Sequence, residues 1–212
     1  MSYARASLPL RSVTPDLIPQ DAPQDAWNMA RNVLFRNGES VAAGNDLPVF
    51  PFASTNPETM VYVEPFDTGY WVYASEDGVF ATDGSVEYDI TPTLWTGFTS
   101  GTVWTSCVIN GLAVVNASTS APVWWDGNPA NPCTILPDWE VGGRCLCMRA
   151  HKAFLFAIGY ISDNGARVKW SDAAEPGTVP QVWTPAADNL AGFVDLAPLF
   201  TDCLDGAALQ TI

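Results

Sequence analysis

Three stretches of the chain share one pattern, in which strand-like runs are joined by a turn or short loop and the last run ends before an aspartate. The clearest example is Thr105–Gly127, where Asn110-Gly111 separates two β-rich runs and Val123–Trp125 closes on Asp126. Asn-Gly between such runs is a strong hairpin signal, because both central turn positions need φ > 0. This stretch is therefore predicted to be an antiparallel unit of three strands.

The same pattern occurs on either side of it. The upstream unit has Tyr70–Ala74, a turn at Glu76-Asp77-Gly78 and Val79–Thr82 before Asp83-Gly84, and the downstream unit has Ala153–Ile158, a loop at Ser162–Gly165 and Arg167–Trp170 before Asp172. By subtraction, the three closing aspartates lie 43 and 46 residues apart. A period of roughly 40–50 residues with several strands per repeat is typical of β-propeller blades. The sequence predicts an all-β fold of propeller-like antiparallel hairpin repeats.

Residues 1–44 are predicted to be an extended, proline-rich arm that ends in a first hairpin. Prolines 9, 15, 19 and 23 restrict φ and remove backbone donors, which favours extended chain. Gln24–Asn32 is predicted to form a short helical turn with Asp25 as its N-cap. The hairpin is predicted from Asn32–Phe35 and Ser40–Ala43, with Asn37-Gly38 in the turn.

Residues 45–212 are predicted to form the blades. Met60–Val63 and Val86–Ile90 are two further strands, and Glu175–Asp188, which carries three prolines, is a long loop. Asp202–Ile212 resembles the opening of another hairpin, with Asp205-Gly206 as its turn. Since the sequence stops inside that unit, we expect a partial or open propeller, truncated after the third to fourth blade. Its open sheet edge would mean either that the chain is a fragment or that a partner covers the edge.

The charge balance is acidic, with 23 acidic and 9 basic residues and a net charge of -14. Such a surface repels phosphates, so a role in gripping nucleic acid is not expected. Five cysteines form no regular framework, which argues against a secreted disulfide scaffold. The first residues lack the apolar run of a signal peptide, and no stretch approaches the roughly 18 apolar residues of a membrane helix. We expect a protein made in the cytoplasm, without a membrane anchor.

Cys145, Cys147 and His151 form the one candidate metal site. A fourth zinc ligand would have to be Cys133 or Asp138, and neither follows a standard spacing. Two cysteines at i and i+2 on a strand are expected to point to one face, where they would serve as small apolar residues. We therefore favour a structural role for Cys145 and Cys147 as small apolar residues of a sheet, and we expect no metal and no cofactor.

Catalytic signatures are weak. The single histidine, His151, would have to serve any Ser-His-Asp or Cys-His set, and no nucleophile elbow stands near a serine. Acids are numerous enough to include a glycosidase pair, but many of them occupy turn positions, where the side chain usually bonds its own backbone (Asp77, Asp83, Asp126, Asp163, Asp172, Asp205). Ser75–Phe80 resembles the aspartate box of sialidase-like propellers only in part, and Glu87 with Asp89 follows no EF-hand order. We expect no catalytic residues and no enzyme.

Tryptophan is abundant and recurs once or more in each repeat. These side chains could stack on sugar rings, but aromatic residues at one place in each repeat are more often packed between blades. The residues concerned are Trp124, Trp125, Trp139, Trp170 and Trp183.

Two segments carry a family resemblance. Ile18–Gly44 contains Ala30-Arg31-Asn32-Val33, Phe35 and Gly38, and Trp170–Leu196 contains Trp170-Ser171-Asp172, Pro176-Gly177, Trp183-Thr184 and Ala191-Gly192-Phe193-Val194-Asp195-Leu196. The Asp83-Gly84 hairpin and the Leu136–Trp139 turn lie between them. In this order the segments resemble tail-nozzle or packaged-DNA-stabilising virion proteins of short-tailed phages, over most of the chain from about residue 15.

This resemblance implies a β-propeller-based structural protein in the tail nozzle or head–tail junction. It also implies a ring of identical subunits, a hexamer in nozzles, below the portal and adaptor, which helps retain and conduct DNA without binding it specifically. Assembly would occur in the host cytoplasm. The alternatives left open are a propeller-type polysaccharide hydrolase or lyase, which needs clustered acids in a pocket, and a host-recognition module, which needs exposed tryptophans.

Overall fold

The computed structural model describes residues 57–95, 98, 101–161, 166–196 and 203–207, together with the backbone of four short strands before residue 43. The chain divides into two compact units, residues 1–49 and 50–212. The sequence-based boundary lies five residues earlier, between residues 44 and 45.

The first unit contains two small sheets. Strands β1 (Ser12–Val13) and β2 (Ala26–Trp27) pair in parallel, and β3 (Val33–Arg36) and β4 (Glu39–Ala42) form an antiparallel hairpin. The predicted first hairpin is thus confirmed within one residue. The predicted helical turn is wrong at Ala26–Trp27, because pairing with β1 overrides a weak local N-cap signal. The rest of that turn and most of the proline-rich lead lie outside the described residues.

The second unit consists of three four-stranded antiparallel sheets, each with its strands in chain order. The first sheet contains β5 (Thr59–Val63), β6 (Tyr70–Ser75), β7 (Gly78–Thr82) and β8 (Glu87–Asp89). The second contains β9 (Trp104–Ile109), β10 (Leu112–Ala117), β11 (Val123–Trp125) and β12 (Thr134–Ile135). The third contains β13 (Arg144–His151), β14 (Phe154–Ile161), β15 (Arg167–Trp170) and β16 (Gly192–Asp195). Helix in the described residues is limited to a 3-10 turn at Pro65–Asp67, so the all-β prediction is confirmed.

Local turn chemistry explains where these strands reverse. Asn110 and Gly111 have φ values of 50° and 83°, as a type I′ turn requires, and they join β9 to β10 as predicted. The long predicted loop is also present, since the chain between β15 and β16 forms no strand or helix. The predicted hairpin near the end is not seen in Cys203–Ala207, which contains no strand, and residues 208–212 lie outside the described part.

The three sheets pack face to face, so the middle one is apolar on both sides. All six residues of β10 are buried. Its Ala113 and Val115 join the core between the first and second sheets, and its Leu112 and Val114 join the core between the second and third. Each fully buried large side chain in these cores contributes about 1.5–3 kcal/mol.

Candidate functional site

The three closing aspartates occupy the same topological position. Asp83 follows β7, Asp126 follows β11 and Asp172 follows β15, which is the third strand of each sheet. Each carboxylate accepts hydrogen bonds from main-chain amides just beyond it: Ser85 and Val86 for Asp83, Asn128 for Asp126, Ala173 for Asp172. The three aspartates therefore direct the chain from the third strand of each sheet towards the fourth. Their equivalent positions are the repeat that the sequence predicts.

Asp172 also holds the long loop of the third sheet. Its Oδ1 accepts a hydrogen bond from the Leu190 amide at 3.0 Å, and its own amide donates to the Val182 carbonyl at 2.8 Å. The indole nitrogen of Trp170 donates to the Leu190 carbonyl at 2.8 Å. The loop that leaves β15 is thereby brought back to the start of β16.

Asp138 fixes the middle of the same loop. Its Oδ2 accepts hydrogen bonds from the amides of Trp183 at 2.8 Å and Thr184 at 3.1 Å, which lower the pKa of the carboxyl. The rings of Trp139 and Trp183 meet edge to face with centroids 4.7 Å apart. Asp138, Trp170 and Asp172 thus hold the long loop in one hydrogen-bonded frame.

A charged crevice of about 470 Å³ lies beside that frame. The Tyr160 hydroxyl donates to Glu140 Oε2 at 2.6 Å, and Lys169 Nζ lies 3.8 Å from the same oxygen. Lys169 is buried, with its ammonium 4.8 Å from the centre of the Tyr160 ring. Burial lowers the pKa of Lys169, and burial with the Glu140 hydrogen bond raises the pKa of Tyr160.

The sides of this crevice are also ion-paired. Arg167 contacts Asp195 through two hydrogen bonds of 2.6 and 3.0 Å, and its guanidinium lies 4.4 Å from the centre of the Phe193 ring. Sequence reasoning missed this cluster. The available signal was the i, i+2 spacing of Arg167 and Lys169 on β15, which places both on one face. Because each cation already has a carboxylate, the arrangement is suited to holding strands together.

The candidate metal ligands do not converge. Cys145 donates its thiol proton to Asn116 Oδ1 at 3.2 Å, whereas the Cys147 thiol lies 3.0 Å from Asp205 Oδ1. Cys145 belongs to the core between the second and third sheets, while Cys147 pairs with Ile158, which lines a cavity on the other side of the third sheet. The prediction that both thiols share one face is therefore wrong, because Gly159, with φ at 65°, interrupts the regular strand alternation beside them.

The other members of that candidate set are also accounted for. Cys133 lies in the core between the first and second sheets, and Asp138 binds the long loop. His151 pairs with Phe154 at the end of β13. Among the residues that the structure describes, no three His, Cys, Asp or Glu side chains are placed to hold a metal ion.

Other acids are also engaged in contacts within the chain. The Tyr73 hydroxyl donates to Glu87, and Asp89 Oδ1 accepts from the Thr91 amide at 3.0 Å. The predicted turn at Asp205 is not seen, because residues 203–207 form neither turn nor strand. Asp205 instead forms an ion pair with Arg149 on β13, with nitrogen–oxygen distances of 3.0 and 2.8 Å. This contact lowers the pKa of Asp205 to about 2. Asp163 lies outside the described residues.

The tryptophans are mainly packed between sheets, as predicted. Trp125, Trp139 and Trp183 are buried, while Trp124 and Trp170 are half-buried. Trp125 meets Tyr70 of the first sheet edge to face at 5.2 Å. These side chains form inter-sheet cores.

Comparison with known proteins gives no family for this chain. No family model matches its sequence, and no curated protein is significantly similar to it. Within the described residues, no helix is long and apolar enough to span a membrane.

Proposed function

We propose that this chain is a non-enzymatic structural protein of a bacteriophage particle. It forms one subunit of a ring, a hexamer in the nozzle, in the tail nozzle or at the head–tail junction. The observation that carries the proposal is the repeated use of one aspartate position in three stacked sheets, together with the hydrogen-bonded frame formed by the phage-like Trp170–Leu196 segment. Both features are suited to a rigid subunit in the wall of such a ring.

A propeller-like arrangement of the sheets is part of the proposal. The first strands of successive sheets lie side by side, as the first strands of propeller blades do around their axis. Thr59 on β5 and Ser106 on β9 share a hydrogen bond of 2.6 Å, and the Met148 amide on β13 donates to Thr105 Oγ1 on β9 at 3.1 Å. These contacts support the proposal that the three sheets form part of a propeller.

The charge distribution supports a DNA-conducting role without specific binding. The net charge is -14, and residues 57–143 contain no lysine or arginine. A lumen lined by such a surface offers DNA phosphates no cationic partner, so the duplex slides past. The positively charged side chains Arg149, Arg167 and Lys169 are ion-paired with acids of the same chain.

The partners in this proposal are other copies of the chain, the portal or adaptor, and other tail proteins. Only 15% of residues are charged, against about 25% in an average protein, which suits large protein–protein contacts. The proline-rich arm of residues 1–44 supplies a segment that can lie across a neighbouring subunit. Assembly into the virion occurs in the host cytoplasm.

Antibody labelling of purified particles, viewed by electron microscopy, tests the assignment. The proposal predicts label at the tail or head–tail junction and none on the capsid surface or peripheral spikes. Label on a spike would favour the host-recognition alternative. Cleavage of surface polysaccharide by the purified chain, abolished by alanine replacement of clustered acids, would show the hydrolase or lyase alternative and overturn the proposal.

A further inference from the structure

Among the charged residues that the structure describes, Lys169 on β15 is the one that is buried, at 8% exposure. Burial of a charged side chain is costly unless hydrogen bonds replace those it made with water. Lys169 Nζ lies 3.8 Å from Glu140 Oε2, where the two charges attract each other but are too far apart for a hydrogen bond. That oxygen instead accepts the Tyr160 hydroxyl at 2.6 Å. The amine is thus removed from water without a hydrogen bond to its carboxylate partner.

The charged crevice beside the long loop connects this amine to solvent. Lys169 lines the crevice, whose volume is about 470 Å³. Phe193, which is 48% exposed, lies directly opposite Lys169 in the β15–β16 ladder and places an aromatic ring at the opening. Trp139, Val141 and Pro185 complete the apolar part of the lining. A cavity of about 150 Å³ holds a benzene molecule, so the crevice has room for a ligand with one aromatic ring.

The charges around the crevice balance, which favours an uncharged ligand. Two acids, Asp138 and Glu140, and two bases, Arg167 and Lys169, line it. Asp138 accepts amide hydrogen bonds from the long loop, and Arg167 is held by Asp195 through two hydrogen bonds. A ligand with a net charge would therefore meet attraction and repulsion together.

The surroundings of Lys169 also favour the nucleophilic form of the amine. Burial lowers the pKa of Lys169, although Glu140 and Asp138 oppose this effect. Because the unprotonated amine is the nucleophile, a desolvated lysine reacts with carbonyl compounds more readily than an exposed one. The second lysine of the sequence, Lys152, is exposed in the turn between β13 and β14 and provides an internal comparison.

We propose that Lys169 is a covalent binding site for a small, uncharged aromatic aldehyde, which the crevice holds as an imine. Lys169 Nζ bonds to the carbonyl carbon, and the carbonyl oxygen leaves as water with the two protons of the neutral amine. The step needs no oxidant or reductant and reverses on hydrolysis. The aromatic part of the ligand contacts the rings of Phe193 and Trp139. This inference goes beyond the proposed function and does not depend on the virion assignment.

Reductive labelling of the purified full chain with benzaldehyde tests the site. Cyanoborohydride converts the imine into a stable secondary amine, and peptide mass spectrometry measures the label at Lys169, at Lys152 and at the amino terminus. Labelling at pH 7 is expected to be several-fold faster at Lys169 than at Lys152. Labelling of Lys169 that is equal to or slower than that of Lys152 would overturn the inference.

Competition with benzyl alcohol separates binding in the crevice from general reactivity. This compound has the same ring but no carbonyl group, so excess benzyl alcohol is expected to slow labelling at Lys169 and leave Lys152 unaffected. Equal rates at Lys169 with and without the competitor would contradict binding in the crevice. Lys169→Arg keeps the positive charge and is expected to label at Lys152 as the wild type does.

Glu140→Gln tests whether the reacting amine is the one beside Glu140. The groups that face Lys169 with a charge or a titratable proton come from the preceding loop, β14, β15 and, through Arg167, β16 (Asp138, Glu140, Tyr160, Arg167, Asp195). Glu140→Gln removes one attracting charge and keeps an oxygen acceptor for Tyr160. The pH midpoint of the labelling rate should therefore fall at Lys169 and not at Lys152.

Glu175→Gln is the matched control for that variant. It makes the same charge change at an exposed acid outside the crevice lining, so the midpoint at Lys169 should stay at its wild-type value. Circular dichroism checks that each variant is folded. An unchanged midpoint at Lys169 in folded Glu140→Gln would contradict the assignment of the label to this amine.

Discussion

Asp138 Oδ2 lies 2.8 Å from the amide nitrogen of Trp183, a residue 45 positions further along the chain. This contact joins the loop before the third sheet to the long loop within it. Trp183 is fully buried in the core between the second and third sheets. The position of a large core side chain is therefore fixed by one exposed carboxylate.

Replacement of Asp138 is expected to destabilise the chain. Asp138→Ala removes both acceptor contacts to Trp183 and Thr184, and we expect a loss of about 1 kcal/mol after solvent screening is allowed for. Asp138→Asn keeps one acceptor oxygen and should lose less. Urea denaturation followed by tryptophan fluorescence measures both, and equal stabilities for wild type and Asp138→Ala would contradict this role.

Replacement of Asn110 separates turn geometry from hydrogen bonding. The Asn110 side-chain amide donates to the carbonyls of Glu175 at 3.0 Å and Thr178 at 2.9 Å, so the β9–β10 turn is tied to the third-sheet loop. Asn110→Gly keeps the positive φ and loses only these bonds, whereas Asn110→Ala also strains the turn. We expect losses of about 1 and 2 kcal/mol, respectively, in chemical denaturation. The reverse order would show that the turn geometry is unimportant.

Gly127 and Gly142 form a matched pair for testing the contact between the first two sheets. Both have positive φ, 87° and 77°, so alanine causes similar backbone strain at each. A Cβ at Gly127 would overlap Pro65 Cβ, whereas a Cβ at Gly142 meets nothing within 4 Å. Overpacking at Gly127 is expected to cost about 1–3 kcal/mol of unfolding free energy beyond the backbone strain that both variants share. Gly127→Ala should therefore lower the midpoint of thermal unfolding more than Gly142→Ala does. Equal midpoints would mean that the Asp126-Gly127 turn does not pack on Pro65.

The Arg149–Asp205 ion pair predicts a pH dependence. The pKa of Asp205 is lowered from 3.8 to about 2 in the folded chain, so the contact stabilises the fold above pH 3.8 and is lost as the pH falls towards 2. The exposure of both side chains keeps the contribution small. Stability measured from pH 5 to pH 2 should fall more for wild type than for Asp205→Asn. If stability falls equally with pH for wild type and for Asp205→Asn, the Arg149–Asp205 ion pair does not stabilise the fold.

The parts of the fold that depend on local turn chemistry could be predicted from the sequence. Asn110-Gly111 fixes its hairpin because few residues adopt positive φ at both positions, and the aspartates at 83, 126 and 172 recur because each bonds amides within a few residues. The inter-sheet role of Trp125 and Trp183 followed from their recurrence in each repeat. These features need no knowledge of distant contacts.

The features that the sequence did not reveal depend on distant pairing or, beside the two cysteines of β13, on a local backbone irregularity. The Glu140–Tyr160–Lys169 cluster joins three separate segments, and the Asp205–Arg149 pair spans 56 residues. The parallel pairing of Ala26–Trp27 with Ser12–Val13 replaced a predicted helical turn for the same reason. The different partners of the Cys145 and Cys147 thiols depend on a local irregularity at Gly159 that the residue spacing does not show.

Mass spectrometry of purified particles tests the central claim most directly. The protein is extracted from particles after two rounds of density-gradient purification, and its copy number is measured against the portal protein. The account predicts that the chain is present in a fixed ratio to the portal, as a ring subunit must be. Its absence from infectious particles, with the protein found only in the soluble lysate, would contradict the assignment.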